Sequence, residues 1–405
     1  MKKIFCMIAM AATVLTAFTG CTETKKDDGK AKYIFLFIGD GMGASHVAVT
    51  ESYLSYKAGK LGGEQLSFTK FPYYGNCTTH SANRMITCSS AAATAIACGI
   101  KTNNENIGVD AEGNPVSNIA EELHEMGYKV GIMTTVPINH ATPAGFYAHN
   151  NSRYGYYDIS CTIPETGFEF FGGSGFYNYR GSEGDKEPVD AYIESKGYEV
   201  CYGPEEFKAA ADTAEHVVFI QESGRETDPE YYVSNGMETE DVRLAEMLGM
   251  SLDFLGDAEP FFIMCEGGNI DWSAHANKTM AVIDDILEFD EAIAKAVGFY
   301  NAHPDETLII VTADHETGGV SIGEGKEWRT ELVDWKLLED HWIASGEKNV
   351  LSYEENMEMN RKALIGWTSS HHTGGPVPVY AIGKGAEKFS GRIDNAEIKG
   401  KILGE

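Results

Sequence analysis

Tyr33-Ile34-Phe35-Leu36-Phe37-Ile38 runs without a polar break into Gly39-Asp40-Gly41-Met42-Gly43. Unbroken hydrophobicity closed by glycines predicts a strand buried on both faces, and such strands belong to parallel sheets covered by helices. The same signature recurs at residues 128–136, 260–265, 307–312 and 377–382. Helical patterns lie between these runs. Ser117 is placed to cap a helix over residues 118–126 that Gly127 stops, and Ile283, Ile286, Leu287, Ile293 and Val297 form an apolar stripe at helical spacing. The alternation predicts an α/β fold, a doubly wound three-layer sandwich around a mostly parallel central sheet with inserted embellishments.

Two segments depart from the rhythm. Residues 154–257 open with a dense aromatic and glycine stretch (Phe168, Phe170, Phe171, Phe176, Tyr177, Tyr179) and read as an embellishment of the sheet. Residues 316–370 hold Trp328, Trp335, Trp342 and Trp367, a clustering that suits a lid over a site, or equally a satellite core or a dimer contact.

Open α/β sheets bind ligands beyond the carboxyl ends of their strands. Seven side chains able to bind metal fall there or just after: Asp40, Glu266, Asp271, His275, Asp314, His315 and His372. Asp40 alone, between glycines, reads as a turn residue or helix cap. Asp271 and His275 are four residues apart, so a helical turn puts both on one face, where they can grip one ion, while Glu266 at the strand end faces another. Asp314-His315 pairs a hard with a borderline donor, a set zinc accepts. His371 and His372 precede the last strand, and spacing does not choose between them. Ser89 lies in the small-residue run from Thr87 to Ala95, and a hydroxyl beside metals suggests an activated nucleophile.

The chain has 405 residues, of which 43% are hydrophobic, enough for one large α/β domain or two smaller ones. Its formal charge of −29 argues against nonspecific nucleic-acid binding. That charge also repels phosphate esters, so an anion site needs its own local positive field. Lys2 and Lys3 precede an apolar run, residues 4–18, too short to cross a bilayer comfortably. The ending Ala17-Phe18-Thr19-Gly20-Cys21 resembles a bacterial lipobox. We therefore expect a signal peptide over residues 1–20, a lipidated Cys21 with a tether to residue 32, and a catalytic domain over residues 33–405. The expected location is the periplasm or outer membrane, with attachment only through the lipid. Of eight cysteines, six are interior, and none shows the short spacing of a zinc-thiolate site. Cys88, Cys98 and Cys265 sit in apolar or small-residue runs and read as buried free thiols.

Taken together, the residues resemble the alkaline phosphatase family over most of the chain after the tether. The resemblance rests on GDGMG at 39–43, SSAAATAIACGIKT at 89–102, HATPAGFYAHNNSR at 140–153, EGGNIDWSAH at 266–275, TADHETGG at 312–319 and HHTGG at 371–375. It implies a metal-dependent phosphate monoester hydrolase, usually a homodimer, with two zinc ions and one magnesium. Ser89 resembles the nucleophile that becomes phosphoserine. Asp271, His275 and His372 resemble the ligands of the first zinc, Asp314 and His315 with Asp40 those of the second, and Asp40, Thr142 and Glu266 those of the magnesium. Arg153 resembles the fork that holds two phosphate oxygens. Two positions vary in the family and bear on substrate and the third metal: His140 stands where some members have Asp, and Trp272 where some have Lys or His. Cys88 replaces a frequent Asp before the nucleophile, removing a partner for the arginine. A phosphodiesterase on this scaffold typically uses a Thr nucleophile and lacks the arginine. A sulfatase needs Arg four residues after its nucleophile, where this chain has Ala92 or Ala93. An exported metal- or phosphate-binding lipoprotein would bind without turnover.

Overall fold

Each of those apolar runs becomes a strand in a computed structural model, which describes residues 29–225, 241–323, 332–346 and 351–405. The strands are β1 (Tyr33–Gly39), β2 (Tyr73–Thr78), β3 (Lys129–Thr134), β4 (Phe170–Gly173), β5 (Glu199–Tyr202), β6 (Val217–Ile220) and β7 (Phe261–Gly267). They continue with β8 (Thr307–Thr312), β9 (Glu316–Thr317), β10 (Val320–Ile322), β11 (Ile365–Trp367), β12 (His372–Thr373), β13 (Val377–Gly383) and β14 (Gly391–Asp394). Ten build one sheet in the order β14-β2-β13-β8-β1-β7-β3-β4-β6-β5. Helices flank this sheet, so the fold is the expected α/β sandwich.

Neighbours in the sheet are parallel except where β13 meets β8 and β2. The run at 377–382 is thus a buried strand of opposite direction. Continuous hydrophobicity reports burial on two faces, which an antiparallel strand inside a covered sheet shares.

The core forms where β1 meets the helix Thr279–Ala302. Phe35 packs edge-on against Phe261 at 5.3 Å and Phe299 at 5.6 Å, and Phe37 against Phe289 at 5.8 Å. Burying each such ring contributes about 1.5–3 kcal/mol. Phe35→Ala would leave a cavity costing about 3–5 kcal/mol. Ile283, Ile286 and Ile293 are buried as their spacing predicts, with Leu287 and Val297 packed alongside.

Local detail departs from expectation in three places. The helix expected over 118–126 spans Ile119–Glu125, and its cap is Asn118, whose Oδ1 accepts from the amides of Ala120 and Glu121. The Glu121 carboxylate in turn accepts from the Asn118 amide at 2.9 Å, closing a capping box that Ser117 could not form. Residues 154–257 continue the βα rhythm, because β4, β6 and β5 extend the parallel sheet outward from β3. The described residues of the tryptophan-bearing segment pack into the main core, with Trp335 and Trp367 among its buried members and Trp342 against it. Trp335 is buried edge-on against Tyr53, and the Trp367 indole donates to Thr279 Oγ1 at 3.0 Å. Trp328 lies outside the described residues.

The six interior cysteines are free: Cys98 and Cys265 are buried as expected, whereas Cys88 is only half-buried. Residues 1–28, with Cys21, lie outside the described residues. Among those described, no helix is long and apolar enough to cross a membrane.

Candidate functional site

Strands β8, β1, β7 and β3 lie side by side and run the same way, with Ile38 opposite both Thr312 and Glu266, and Glu266 opposite Thr134. Whatever follows these four strands emerges at one edge of the sheet. Asp40 follows β1, Asp314 and His315 follow β8, and Glu266 closes β7 ahead of Asp271 on the short helix Asn269–His275. Thr142 comes from the helix turn Ala141–Ala144, a few residues past β3. Four distant segments become one site because a parallel sheet aligns its strand ends.

Three groups of side chains converge closely enough to share an ion, each set's ligand atoms lying within 4.8 Å of one another. They are Asp271 with His275 and His372, Asp40 with Asp271 and His315, and Asp40 with His140 and Glu266. In the first, His275 Nε2 is 3.3 Å from Asp271 Oδ2 and 3.2 Å from His372 Nε2. The expected helical turn between Asp271 and His275 is present. The far nitrogens of these histidines face backbone carbonyls, His275 Nδ1 at 2.7 Å from Ser370 and His372 Nδ1 at 2.9 Å from Thr87, which fixes the rings and aims Nε2 inward. His371, the alternative to His372, is exposed. In the second group, His315 Nε2 is 3.3 Å from both Asp40 Oδ1 and Asp314 Oδ2. Asp271 stands in this group where Asp314 was expected; Asp314 Oδ1 accepts from the amides of Gly41 at 3.2 Å and His315 at 2.8 Å. Thr142 Oγ1 donates to Asp40 Oδ2 at 3.4 Å. His140 joins Asp40 and Glu266, so it sits among the donors of the third group as well as beside Arg153.

Electrostatics make this cluster a demand for cations. Asp40, Glu266 and Asp314 are buried together; burial first, then the charges of neighbouring carboxylates, Asp271 among them, raises all three, Glu266 to about 8 and Asp314 to about 7. Burial would raise Asp271 too, but the hydrogen bond to His275 and the charges of the surrounding imidazoles hold it below its ordinary value. Burial lowers His315 and His372. Asp40 Oδ1, Glu266 Oε1 and Asp314 Oδ2 are buried and lack a hydrogen-bond partner. Orphaned carboxylate oxygens turned toward neutral imidazoles are the donor set of a divalent metal centre, so the residues fit the ions that their pattern implies.

Ser89 is the first residue of the helix Ser89–Cys98, and its Oγ lies 3.2 Å from His315 Nε2. Ser90 turns away, its Oγ 3.2 Å from Cys88 Sγ. Arg153 Nη2 lies 3.0 Å from His140 Nε2. Burial, helped by that guanidinium, pushes His140 down to about 3, so the imidazole is neutral and accepts. The Trp272 ring stands edge-on to His140 at 5.4 Å, half-buried at the rim.

Sequence reasoning missed two hydroxyls and a glycine constraint. Thr317 Oγ1 donates to Asp271 Oδ1 at 2.5 Å, and Thr134 Oγ1 donates to Glu266 Oε2. Gly41 has φ +73°, and a Cβ there would lie 2.9 Å from both Asp271 Oδ1 and Thr317 Oγ1. The position of Thr317 inside TADHETGG was the available signal.

The model for the alkaline phosphatase family matches residues 31–170 and 225–403. The chain belongs to the alkaline phosphatase family. Alkaline phosphatase 4 of Bacillus subtilis is 31% identical over 459 aligned residues, covering 97% of this chain and 95% of that one. Alkaline phosphatase from the Antarctic bacterium TAB5 superposes with a TM-score of 0.73 at 31% identity, covering 93% of this chain and 98% of that one. A variant of that enzyme with one histidine changed to aspartate, holding magnesium in its M3 site, superposes with a TM-score of 0.71 at 30% identity, covering 93% and 97%. This alkaline phosphatase is accordingly a hydrolase that works with bound metal.

Proposed function

We propose that the chain hydrolyses small phosphate monoesters through a phosphoserine on Ser89. The observation that carries this reading is the hydroxyl of Ser89, 3.2 Å from His315 Nε2 at the edge of the buried acid and imidazole cluster, with Arg153 held at that cluster's His140. Asp271, His275 and His372 would hold one zinc ion, Asp314 and His315 with Asp40 a second, and Asp40, Thr142 and Glu266 a magnesium. The third group has a nitrogen donor in His140, so that position also suits zinc. Bound cations would neutralise the concentrated carboxylates, favour ionisation of the serine hydroxyl and of water, and offset the chain's repulsion of anionic esters.

The chain's own residues do the rest. Ser89 Oγ, its proton released to solvent, attacks phosphorus as the ester oxygen leaves with its electron pair and takes a proton from water. A second water then attacks the phosphoserine from the vacated side, releasing inorganic phosphate and restoring the hydroxyl. The helix that begins at Ser89 presents its positive end to the phosphoryl group. Arg153 grips two nonbridging oxygens, and His140 and the half-buried Trp272 hold the guanidinium side of the pocket. Little covalent help is needed, because positioning and charge neutralisation dominate phosphoryl transfer.

Export and anchoring through Cys21 remain part of the reading on the strength of Lys2, Lys3 and the apolar run after them. So does a homodimer, on family resemblance. Cys21→Ser should release active protein into the soluble fraction, and mass spectrometry finding no acyl chain on Cys21 of the native protein would refute the anchor. For the activity, steady-state turnover of an aryl phosphate should vanish in Ser89→Ala and fall only mildly in Ser90→Ala, with metal content preserved in both. The reverse ranking would overturn the assignment.

A further inference from the structure

Glu105 holds a left-handed backbone, φ +78°, without being glycine or asparagine. For a residue with a long side chain that conformation is costly and persists only where surrounding contacts impose it. The contacts are identifiable. The Glu105 amide donates to Cys88 Sγ at 3.1 Å, and its carbonyl accepts from the Arg153 amide at 2.7 Å. Neighbouring bonds fasten the same strip of chain on both sides. Asn104 donates through its amide to Asn83 Oδ1 at 3.0 Å and through Nδ2 to the Ile86 carbonyl at 3.2 Å. Ile107 and Asn150 exchange a pair of amide-to-carbonyl bonds at 2.8 Å.

Cys88 is the cap residue immediately before Ser89, and Arg153 is the arginine bonded to His140. The main chain of one residue therefore links the turn that carries the hydroxyl to the loop that carries the guanidinium. We infer that Glu105 is a positioning residue whose main chain, held by the Cys88 sulfur, sets the distance between Ser89 and Arg153. This rests on the phosphate-binding role proposed above for Arg153. Cys88 touches the Glu105 amide rather than the guanidinium, whose Nη2 is placed by His140 instead. The sulfur acts through the backbone, so its effect reaches phosphate only by way of Arg153.

The test is a double-mutant cycle on the metal-loaded enzyme, read as the inhibition constant for inorganic phosphate and as kcat and KM for an aryl phosphate. Losing one hydrogen bond of this kind should make Cys88→Ala bind phosphate about five- to tenfold more weakly. The loss should appear in KM and the inhibition constant, with kcat and metal content little changed, and Cys88→Ser should recover part of it. In an Arg153→Ala background, Cys88→Ala should have no further effect, because the pathway runs through the missing side chain. Multiplicative losses in the double mutant, or a Cys88→Ala enzyme with wild-type phosphate affinity, would overturn the bridge. Undiminished phosphate affinity in Arg153→Ala alone would instead overturn the reading of Arg153 on which it rests. Should Cys88→Ala fail to fold, Cys88→Ser carries the same cycle with a shorter reach to the Glu105 amide.

Discussion

Arg153 faces a neutral His140, so its charge is free to meet substrate. A monoester offers more nonbridging negative charge to that fork than a diester, which has one such oxygen alkylated. Charge-assisted hydrogen bonds contribute roughly 1.5–3 kcal/mol, so Arg153→Ala should lower kcat/KM for an aryl monoester by about ten- to a hundredfold. A matched diester should suffer less, and equal losses would mean that the guanidinium serves structure alone. Gly41 makes a second prediction at this scale. A methyl group there collides with Asp271 and Thr317, so Gly41→Ala should lose zinc and turnover together, on the order of a hundredfold in kcat/KM, as misplacement by an ångström does elsewhere. Full metal content with full activity would contradict the role given to that turn. Single residues were legible when they kept helical spacing, as Asp271 and His275 did, whereas Asp40 alone read as a turn residue or cap and stood out only beside the other clusters. Thr317, Thr134 and Glu105 were not, because their roles depend on partners 46, 132 and 17 residues away.

Among the elements, strands long enough to show their burial were readable and short ones were not. Four-residue β4, β5 and β6 carry too little pattern, and β2 alternates weakly (Tyr73, Tyr74, Gly75, Asn76). Direction was unreadable at β13 because hydrophobicity is blind to it. The helix Ile119–Glu125 shows how an element far from the chemistry can be tested. Asn118→Ala removes a cap and should cost about 1 kcal/mol in chemical denaturation while leaving kcat unchanged. The same helix carries a pH signature. His149 Nε2 lies 2.8 Å from Glu121 Oε1, and its Nδ1 2.6 Å from the Gly108 carbonyl. The bond to Glu121 raises His149, while burial would raise Glu121 but the bond from His149 brings it below its ordinary value. A raised histidine stabilises below 6.5 and loses that contribution as pH rises through its folded value; a lowered glutamate stabilises above 4.5 and loses it on acidification. The pair therefore contributes most between these values and declines both in alkali, where the histidine is neutral, and in acid, where the glutamate is protonated. The stability gap between wild type and His149→Ala should be widest near pH 5 to 6 and shrink toward pH 9; a gap that widens in alkali would refute this assignment.

For the whole molecule, one fact governs the site: a chain of formal charge −29 concentrates four carboxylates at a single sheet edge. Such an assembly is stable in its working form when cations occupy it. Exhaustive chelation should abolish turnover and lower the thermal transition, with zinc restoring most activity and magnesium adding to it only alongside zinc. Activity surviving demetallation would sink the metal-based account. The fold class and the donor set were both visible in the sequence because parallel strands bring the residues after their ends together. The joining of the tryptophan segment to the main core and the outward extension of the sheet required the three-dimensional packing.

The central claim is that phosphate passes through Ser89. The direct measurement is to mix the enzyme with an aryl monoester carrying labelled phosphate, quench in acid during turnover, and map the label by peptide sequencing. The account predicts label on Ser89 alone, absent from Ser89→Ala and retained in Ser90→Ala. Label on Ser90, or rapid turnover with no labelled protein at any quench time, would contradict it.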